Sequence, residues 1–105
     1  MPLRVEPIAE AEAEQATLWY ERQESGLGWK FFKTFRQRLE SIERSPRSFP
    51  LVDAESDREF RYCLLKPYAC RIGFEVRPED IIVFAVAHVR RGPAYWKRRL
   101  RDYGG

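Results

Sequence analysis

Hydrophobic residues change their spacing about halfway along this sequence, from a helical period to an alternating one. In the first half, apolar positions three or four residues apart predict two amphipathic helices. The first helix is indicated by Ala9, Ala13, Ala16 and Tyr20, and the second by Phe31, Phe32, Phe35, Leu39 and Ile42. Only a few residues around Gly26 separate the two patterns. We therefore expect an antiparallel helix hairpin with a left-handed glycine at its turn.

Three strands are predicted in the second half, where apolar and polar residues alternate. The alternation covers residues 60–64 and 70–77, whereas residues 81–89 are apolar on both faces. A strand that is apolar on both faces is typical of the centre of a sheet. Short links between these strands predict an antiparallel meander.

One short element is predicted at each end of the chain. Residues 3–6 form a candidate strand, and Pro93 can begin a short helix that continues to Leu100. Residues 46–57 are rich in prolines and turn formers and are interpreted as a loop. The prediction is a single α+β domain over residues 1–105. Its helix hairpin packs on a mainly antiparallel sheet of about four strands, and a short C-terminal helix follows.

Charge is spread unevenly over the chain, which has a net charge of +3 at neutral pH. Residues 1–24 carry two basic and six acidic side chains, a net of −4. Residues 58–105 carry eleven basic and five acidic side chains, a net of +6. This distribution favours an anionic partner, either a nucleic acid or an acidic protein segment. The alternative is a solvated basic face without a partner.

Other compositional features restrict the class of protein. No apolar run is long enough to span a bilayer, and the first residues lack a signal-peptide pattern, so a cytoplasmic protein without membrane contacts is expected. The two cysteines, Cys63 and Cys70, do not form a disulfide framework, and their spacing is not a zinc pattern. No metal or other cofactor is expected.

Short motifs along nearly the whole chain occur in an order that is typical of one family. They are Trp19-Tyr20-Glu21, Gly26-Leu27-Gly28 with Phe31-Phe32, Ile42 with Pro46, Phe49-Pro50, Arg61, Pro67-Tyr68-Ala69-Cys70-Arg71-Ile72, and the segment from His88 through Arg90, Arg91 and Pro93 to Trp96. In this order they resemble the RelE/ParE superfamily, the toxins of type II toxin–antitoxin modules. The resemblance implies a compact sheet with a helix hairpin. It also implies a cognate antitoxin that lays an extended segment and helices across the toxin.

Two different activities are implied by the resemblance. ParE-like members are described as inhibitors of DNA gyrase without an established catalytic centre, whereas RelE-like members cleave messenger RNA on the ribosome. The helix-hairpin motif and the ending with Pro93 and Trp96 resemble the ParE-like side. The resemblance therefore implies a growth-inhibiting toxin, of the kind found in plasmid stabilisation modules, that binds a target such as DNA gyrase. A ribosome-dependent messenger RNA endoribonuclease is the alternative.

An endoribonuclease of this kind would need a general base, a general acid and cations that stabilise negative charge on the phosphate. Residues that can supply these roles are His88, Tyr95, Arg61 and Arg71. Both arginines alternate with apolar residues and are expected on the polar face of their strands, where they could line a phosphate-binding groove. His88 is expected on the same strand face as Phe84 and Val86, because strand side chains alternate.

Each of these candidates also has a structural interpretation that the sequence leaves open. His88 could be a hydrogen-bonded residue at the sheet rim that anchors the C-terminal tail. Tyr95 and Trp96 could pack the last helix onto the sheet. The two arginines could pair with Glu59, Glu75 or another nearby acid.

Contacts with a target or an antitoxin are expected to involve cations and one aromatic side chain. The candidates are Arg58, Arg61, Arg71, Arg90, Arg91 and Trp96. Arg90 and Arg91 follow the apolar strand directly in a loop, and loops held by a rigid sheet often carry function. The acidic residues of segment 53–57 oppose RNA binding and so favour the non-enzymatic interpretation. The antitoxin segment is expected to be acidic and amphipathic and to cover the basic face of residues 58–101.

Overall fold

The computed structural model describes residues 1–104, without the side chains of Pro93, Ala94 and Gly104. The predicted end of the tail at Gly105 lies outside the described residues. The elements are β1 (Leu3–Val5), α1 (Pro7–Gln23), α2 (Leu27–Arg44), a 3-10 turn (Pro46–Ser48), β2 (Glu59–Leu64), β3 (Cys70–Val76), β4 (Ile81–His88) and α3 (Pro93–Gly104). The predicted α+β class and the predicted order of elements are confirmed. Within residues 1–104, no helix is long and apolar enough to cross a membrane.

The four strands form one sheet in the order β1-β4-β3-β2. β2, β3 and β4 pair antiparallel as the predicted meander, and β1 pairs parallel with β4. The register shifts in the middle of the β3–β4 ladder, since Gly73 pairs with Ala85 whereas Phe74 pairs with Val83. Phe84 is therefore the extra residue of a β-bulge.

The bulge changes which residues of β4 share a face. Phe84 packs in the cluster that contains Trp96, whereas Val86 packs in the cluster that contains the helix hairpin. His88 pairs with Cys70, which also belongs to the hairpin cluster. His88 and Val86 therefore share one face, as predicted, but the prediction was wrong for Phe84, because the alternation inverts at the extra residue.

The helix hairpin covers one face of the sheet, as predicted. Its turn uses Gly26 in the left-handed conformation, with φ of 89°. A Cβ atom at Gly28 would lie 2.6 Å from the Thr17 carbonyl oxygen, so only glycine lets the helices approach this closely. The buried residues of this face include Ala9, Ala13, Phe31, Phe35, Leu39, Ile42, Cys70, Ile72, Phe74, Val76, Ile81, Val83 and Val86.

The C-terminal helix α3 covers the opposite face of the sheet. Trp96 is buried there and packs with Phe60, Phe84, Ala85 and Ala87. Its ring lies directly on Gly73, where a Cβ atom would be 2.4 Å from the Trp96 Cζ3 atom. The alternation in β3 predicted a polar, solvated face with Arg71, Gly73 and Glu75, but α3 covers this face. The protein has three layers: hairpin, sheet and α3.

Candidate binding surface around the C-terminal helix

The predicted catalytic arginines lie on opposite faces of the sheet. Arg61 stands opposite Phe74, a residue of the hairpin core, so it points to the hairpin side. Arg71 stands opposite Ala87, a residue of the α3 cluster, and its guanidinium lies 5.9 Å from the centre of the Trp96 ring. The prediction that both arginines line one polar face was wrong. In the register of β2 and β3, Arg61 pairs with Phe74, which lies on the opposite face of β3 from Arg71.

Arg61 has a structural role at the edge of the hairpin side. Its Nε donates to Glu59 Oε2 at 2.7 Å, and its Nη1 donates to the Phe49 carbonyl at 2.5 Å. Arg47 binds the same Glu59 carboxylate through two hydrogen bonds. Burial raises the pKa of the Glu59 carboxyl group, but the hydrogen bonds from Arg47 and Arg61 outweigh burial and lower it. The interpretation of Arg61 as a partner of Glu59 is confirmed.

Arg58 likewise forms an ion pair with an acidic side chain. It donates to both carboxylate oxygens of Glu75, at 2.7 and 2.8 Å, while Arg77 and Tyr103 donate to Glu75 Oε1 at 2.9 Å each. Glu75 is 4% exposed. Burial raises the pKa of its carboxyl group, but these hydrogen bonds outweigh burial, so the pKa lies below its ordinary value. This cluster ties the end of α3 to β2 and β3.

The lowered pKa of Glu75 predicts a pH-dependent contribution to stability. Ionised Glu75 stabilises the folded state above the ordinary glutamate pKa of about 4.3, and this stabilisation is lost as the pH falls through the lower folded-state pKa. We expect the stability difference between the native protein and Glu75→Gln to be constant near neutral pH. It should shrink as the pH falls below about 4.5. Urea denaturation at a series of pH values measures this difference.

A matched control is Glu79→Gln, at an exposed position of the β3–β4 turn. It removes the same charge but breaks none of the hydrogen bonds to Glu75, so its stability difference should stay small at every pH. A difference for Glu75→Gln that grows as the pH falls would contradict the prediction.

A second polar cluster, centred on Glu12, joins α1 to β4 and α3. The Glu12 carboxylate accepts from the Val86 backbone N–H at 2.9 Å, from the Tyr95 hydroxyl at 2.7 Å and from Arg99 Nη1 at 2.6 Å. Arg99 Nη2 donates to the Phe84 carbonyl. β1 ends at Val5, which pairs with Val83, so β4 has no neighbouring strand on this side beyond that point. Glu12 and Arg99 therefore supply, to the Val86 N–H and the Phe84 carbonyl, hydrogen bonds that a longer β1 would have made.

The ion pair between Glu12 and Arg99 was not predicted from the sequence. Glu12 lies three residues after Ala9 and four before Ala16, on the side of α1 that faces the sheet. A carboxylate in an otherwise apolar stripe indicates a buried cationic partner. Only Glu12 gave this signal, because Arg99 lies in a run of basic residues in which any member could have been buried.

Tyr95 and His88 also have structural partners. The Tyr95 hydroxyl donates to Glu12 and accepts from Arg99 Nη1 at 2.9 Å. Burial raises the Tyr95 pKa, and the hydrogen bond to Glu12 raises it further, so the phenol keeps its proton at neutral pH. His88 is exposed, and its Nδ1 accepts from the Arg90 backbone N–H at 3.0 Å. The predicted docking of the last helix by Tyr95 and Trp96 is confirmed.

Two clefts flank the beginning of α3. The α3 cleft has a volume of about 670 Å³ and is lined by Leu51, Val52, Asp53, Tyr62, Arg71, Val89, Arg91, Gly92, Trp96, Lys97 and Leu100. The β4 cleft, of about 690 Å³, lies between α1 and the end of β4, and its lining includes Glu12, Trp19, Tyr20, Tyr68, His88, Arg91 and Tyr95. The candidate residues Arg71 and Trp96 therefore meet in one cleft, and His88 and Tyr95 in the other. Arg91 lines both.

Four exposed cations surround these clefts and form what we call the exit surface. Its residues are Arg90, Arg91, Lys97 and Arg98. The guanidinium carbons of Arg91 and Arg98 lie 4.7 and 5.9 Å from the centre of the Tyr95 ring. Within residues 1–104, none of the four forms an ion pair with an acidic side chain. They are therefore available to an anionic partner, unlike Arg58 and Arg61.

The protein is thus a small three-layer α+β protein that exposes the cations of its exit surface on the loop after β4 and on α3. No family model matches the chain, and no curated protein matches it.

Proposed function

We propose that this protein is a cytoplasmic, growth-inhibiting toxin of the RelE/ParE type, on the ParE-like side. It acts by binding a protein target such as DNA gyrase, and a cognate antitoxin neutralises it. The observation that carries the proposal is the division of the basic residues. Arg58 and Arg61, which were candidates for contacts or chemistry, form ion pairs, whereas the exit surface is exposed and forms no ion pair with the acidic side chains of residues 1–104.

The fold supports the proposal because it has the layout that the resemblance implies. A helix hairpin covers one face of a meander, and α3 packs on the other face. Because the backbone that carries the exit surface is already folded, a partner has only the exposed cationic side chains to order when it binds. An acidic segment of an antitoxin would be attracted to the same exit surface, and its binding would exclude the target.

Inhibition of DNA supercoiling by the purified protein tests the proposal. We expect inhibition of gyrase at micromolar protein, together with arrested growth on induced expression. The double variant Arg90→Gln/Arg98→Gln should weaken inhibition by about tenfold, since each exposed cation contributes about 0.7 kcal/mol to pairing across an interface and about 1.4 kcal/mol corresponds to tenfold. The matched control, Lys30→Gln/Lys33→Gln, removes the same charge from exposed positions of α2 and should stay close to the native protein.

The two variants and the native protein separate the outcomes. Supercoiling that remains intact at micromolar protein contradicts gyrase as the target. Equal weakening by both double variants contradicts the exit surface as the contact site, because it would show a response to net charge alone.

A ribosome-dependent endoribonuclease is the second candidate, and one observation favours it: His88, Tyr95 and Arg91 line the same cleft. Primer extension on cellular messages after induction would then show new cleavage sites. His88→Ala, at an exposed position, should abolish the cuts without unfolding the protein. New cuts with undisturbed supercoiling would replace the first candidate by this one.

A further inference from the structure

Three parts of the chain form the walls of the α3 cleft. One wall is the segment of Leu51 and Val52, which is fastened to β2 because the Val52 N–H donates to the Phe60 carbonyl at 2.7 Å and Leu51 forms a bridge with Arg61. The other walls are the α3 side of the sheet and α3 itself. Its volume of about 670 Å³ lies within the usual range of about 300–1,000 Å³ for small-molecule sites.

Arg71 lies in this cleft between two aromatic rings. Its guanidinium carbon is 5.3 Å from the centre of the Tyr62 ring and 5.9 Å from that of Trp96. Its Nη2 makes one long hydrogen bond, 3.4 Å, to the Val89 carbonyl. The two cation–π contacts stabilise the guanidinium in the cleft, and a guanidinium is suited to bind an oxyanion through two of its N–H groups.

Two buried donors of residues that line this cleft have no acceptor among the described residues. Among residues 1–104, the buried side-chain nitrogen and oxygen atoms without a hydrogen-bond partner are Arg71 Nε and Trp96 Nε1. Both belong to residues that line the α3 cleft, and Trp96 is 6% exposed. Buried polar groups without partners in the protein are rare, and in native proteins they are met by an acceptor from outside, either water or a ligand. Their coincidence in one cleft indicates a ligand that accepts hydrogen bonds.

The charge of the lining indicates what kind of acceptor fits. Arg71, Arg91 and Lys97 contribute three positive charges and Asp53 one negative charge, a net of +2. A phosphate monoester carries about −1.5 to −2 at neutral pH, whereas a carboxylate or a phosphodiester carries only one negative charge. The apolar part of the lining, which includes Leu51, Val89 and Leu100, suits a planar or apolar body attached to the phosphate.

We infer that the α3 cleft binds a small organic phosphate monoester. Its phosphate accepts hydrogen bonds from Arg71 Nε and Trp96 Nε1 and is further neutralised by Lys97 and Arg91. Its body packs against the apolar part of the lining. This inference does not rest on the toxin proposal, since it requires neither gyrase nor an antitoxin, but the site shares Arg91 and Lys97 with the exit surface.

The indole N–H resonances of the native protein test the inference directly. Trp19 and Trp29 are 50% and 67% exposed, so Trp19→Phe and Trp29→Phe identify the Trp96 signal by elimination without disturbing the core. Phenyl phosphate should move the Trp96 signal downfield in a saturable manner. Inorganic phosphate should bind more weakly because it lacks the body. Methyl phenyl phosphate, a diester, should bind about tenfold more weakly than phenyl phosphate, since it lacks one charge.

Charge variants distinguish a built site from general attraction. Lys97→Gln is at an exposed position and should fold normally, yet it should weaken phenyl phosphate binding several-fold. Arg71→Gln should weaken binding by more than about tenfold, because it removes a charge-assisted hydrogen bond. The matched control Arg101→Gln removes the same charge from α3 outside the cleft and should bind as the native protein does.

Several results would overturn the inference. One is an equal loss of binding in Lys97→Gln and Arg101→Gln, which would show attraction to net charge only. A second is an affinity for the diester that equals the affinity for the monoester. A third concerns short single-stranded RNA, which contains internal phosphodiesters. If it saturates the shift of the Trp96 signal at a lower concentration than any monoester does, the cleft binds a nucleic acid backbone instead.

Discussion

Glu12→Ala is expected to lower the free energy of unfolding by about 3–5 kcal/mol, because it leaves a buried arginine without its carboxylate. Arg99 is 8% exposed, and its ion pair with Glu12 has a distance of 2.6 Å. The same substitution removes the acceptors of the Val86 N–H and of the Tyr95 hydroxyl. Chemical denaturation followed by circular dichroism measures the loss.

Two other substitutions in α1 serve as controls. Glu14→Ala removes the same charge from an exposed position and should change stability by less than about 0.5 kcal/mol. Glu12→Gln keeps an acceptor for the Val86 N–H but not the charge, so it should lie between Glu12→Ala and the native protein. If Glu12→Ala has the same denaturation midpoint as the native protein, the burial of Arg99 does not depend on the Glu12 carboxylate.

Trp96→Ala is expected to lower the free energy of unfolding by a similar amount, about 3–5 kcal/mol. The Trp96 ring is 6% exposed, lies on Gly73 and makes an edge-on contact with Phe84 at 5.9 Å between ring centres. Its removal leaves a cavity under α3 and should loosen the whole helix from the sheet. Denaturation midpoints and the rate of proteolysis within α3 measure the two effects.

The chain offers a control with the same residue type. Trp29 is 67% exposed on α2, so Trp29→Ala removes the same side chain with little loss of buried surface and should change stability by less than about 1 kcal/mol. Equal losses from the two tryptophan substitutions would mean that α3 is not held by Trp96. Since α3 carries Lys97 and Arg98, Trp96→Ala should also weaken target binding, whereas Trp29→Ala should not.

Part of the candidate binding surface was predicted from the sequence. Arg90 and Arg91 follow an apolar strand directly, and a loop at the end of a buried strand must emerge at the surface. Their exposure could therefore be predicted. The pairing of Arg61 with Glu59 was one of two open alternatives, because alternation along a single strand does not say which neighbours a long side chain can reach.

The location of Arg61 and Arg71 on opposite faces of the sheet could not be predicted from either strand alone. Each arginine alternates with apolar residues in its own strand, and this pattern alone places both on a polar face. The register between β2 and β3 decides which side of the sheet each one occupies. In addition, α3 covers the face that carries Arg71, so that face is buried rather than solvated. Neither the register nor the position of α3 follows from local periodicity.

The sequence by itself determined the helix hairpin, the meander and the order of the elements. These follow from apolar periodicity and turn residues such as Gly26, which act over distances of a few residues along the chain. The tertiary structure decided the bulge at Phe84, the ion pair between Glu12 and the buried Arg99, and the meeting of Arg71 with Trp96 under α3. These features arise where segments far apart in sequence must satisfy each other's hydrogen bonds and fill each other's space, and no local pattern encodes that match.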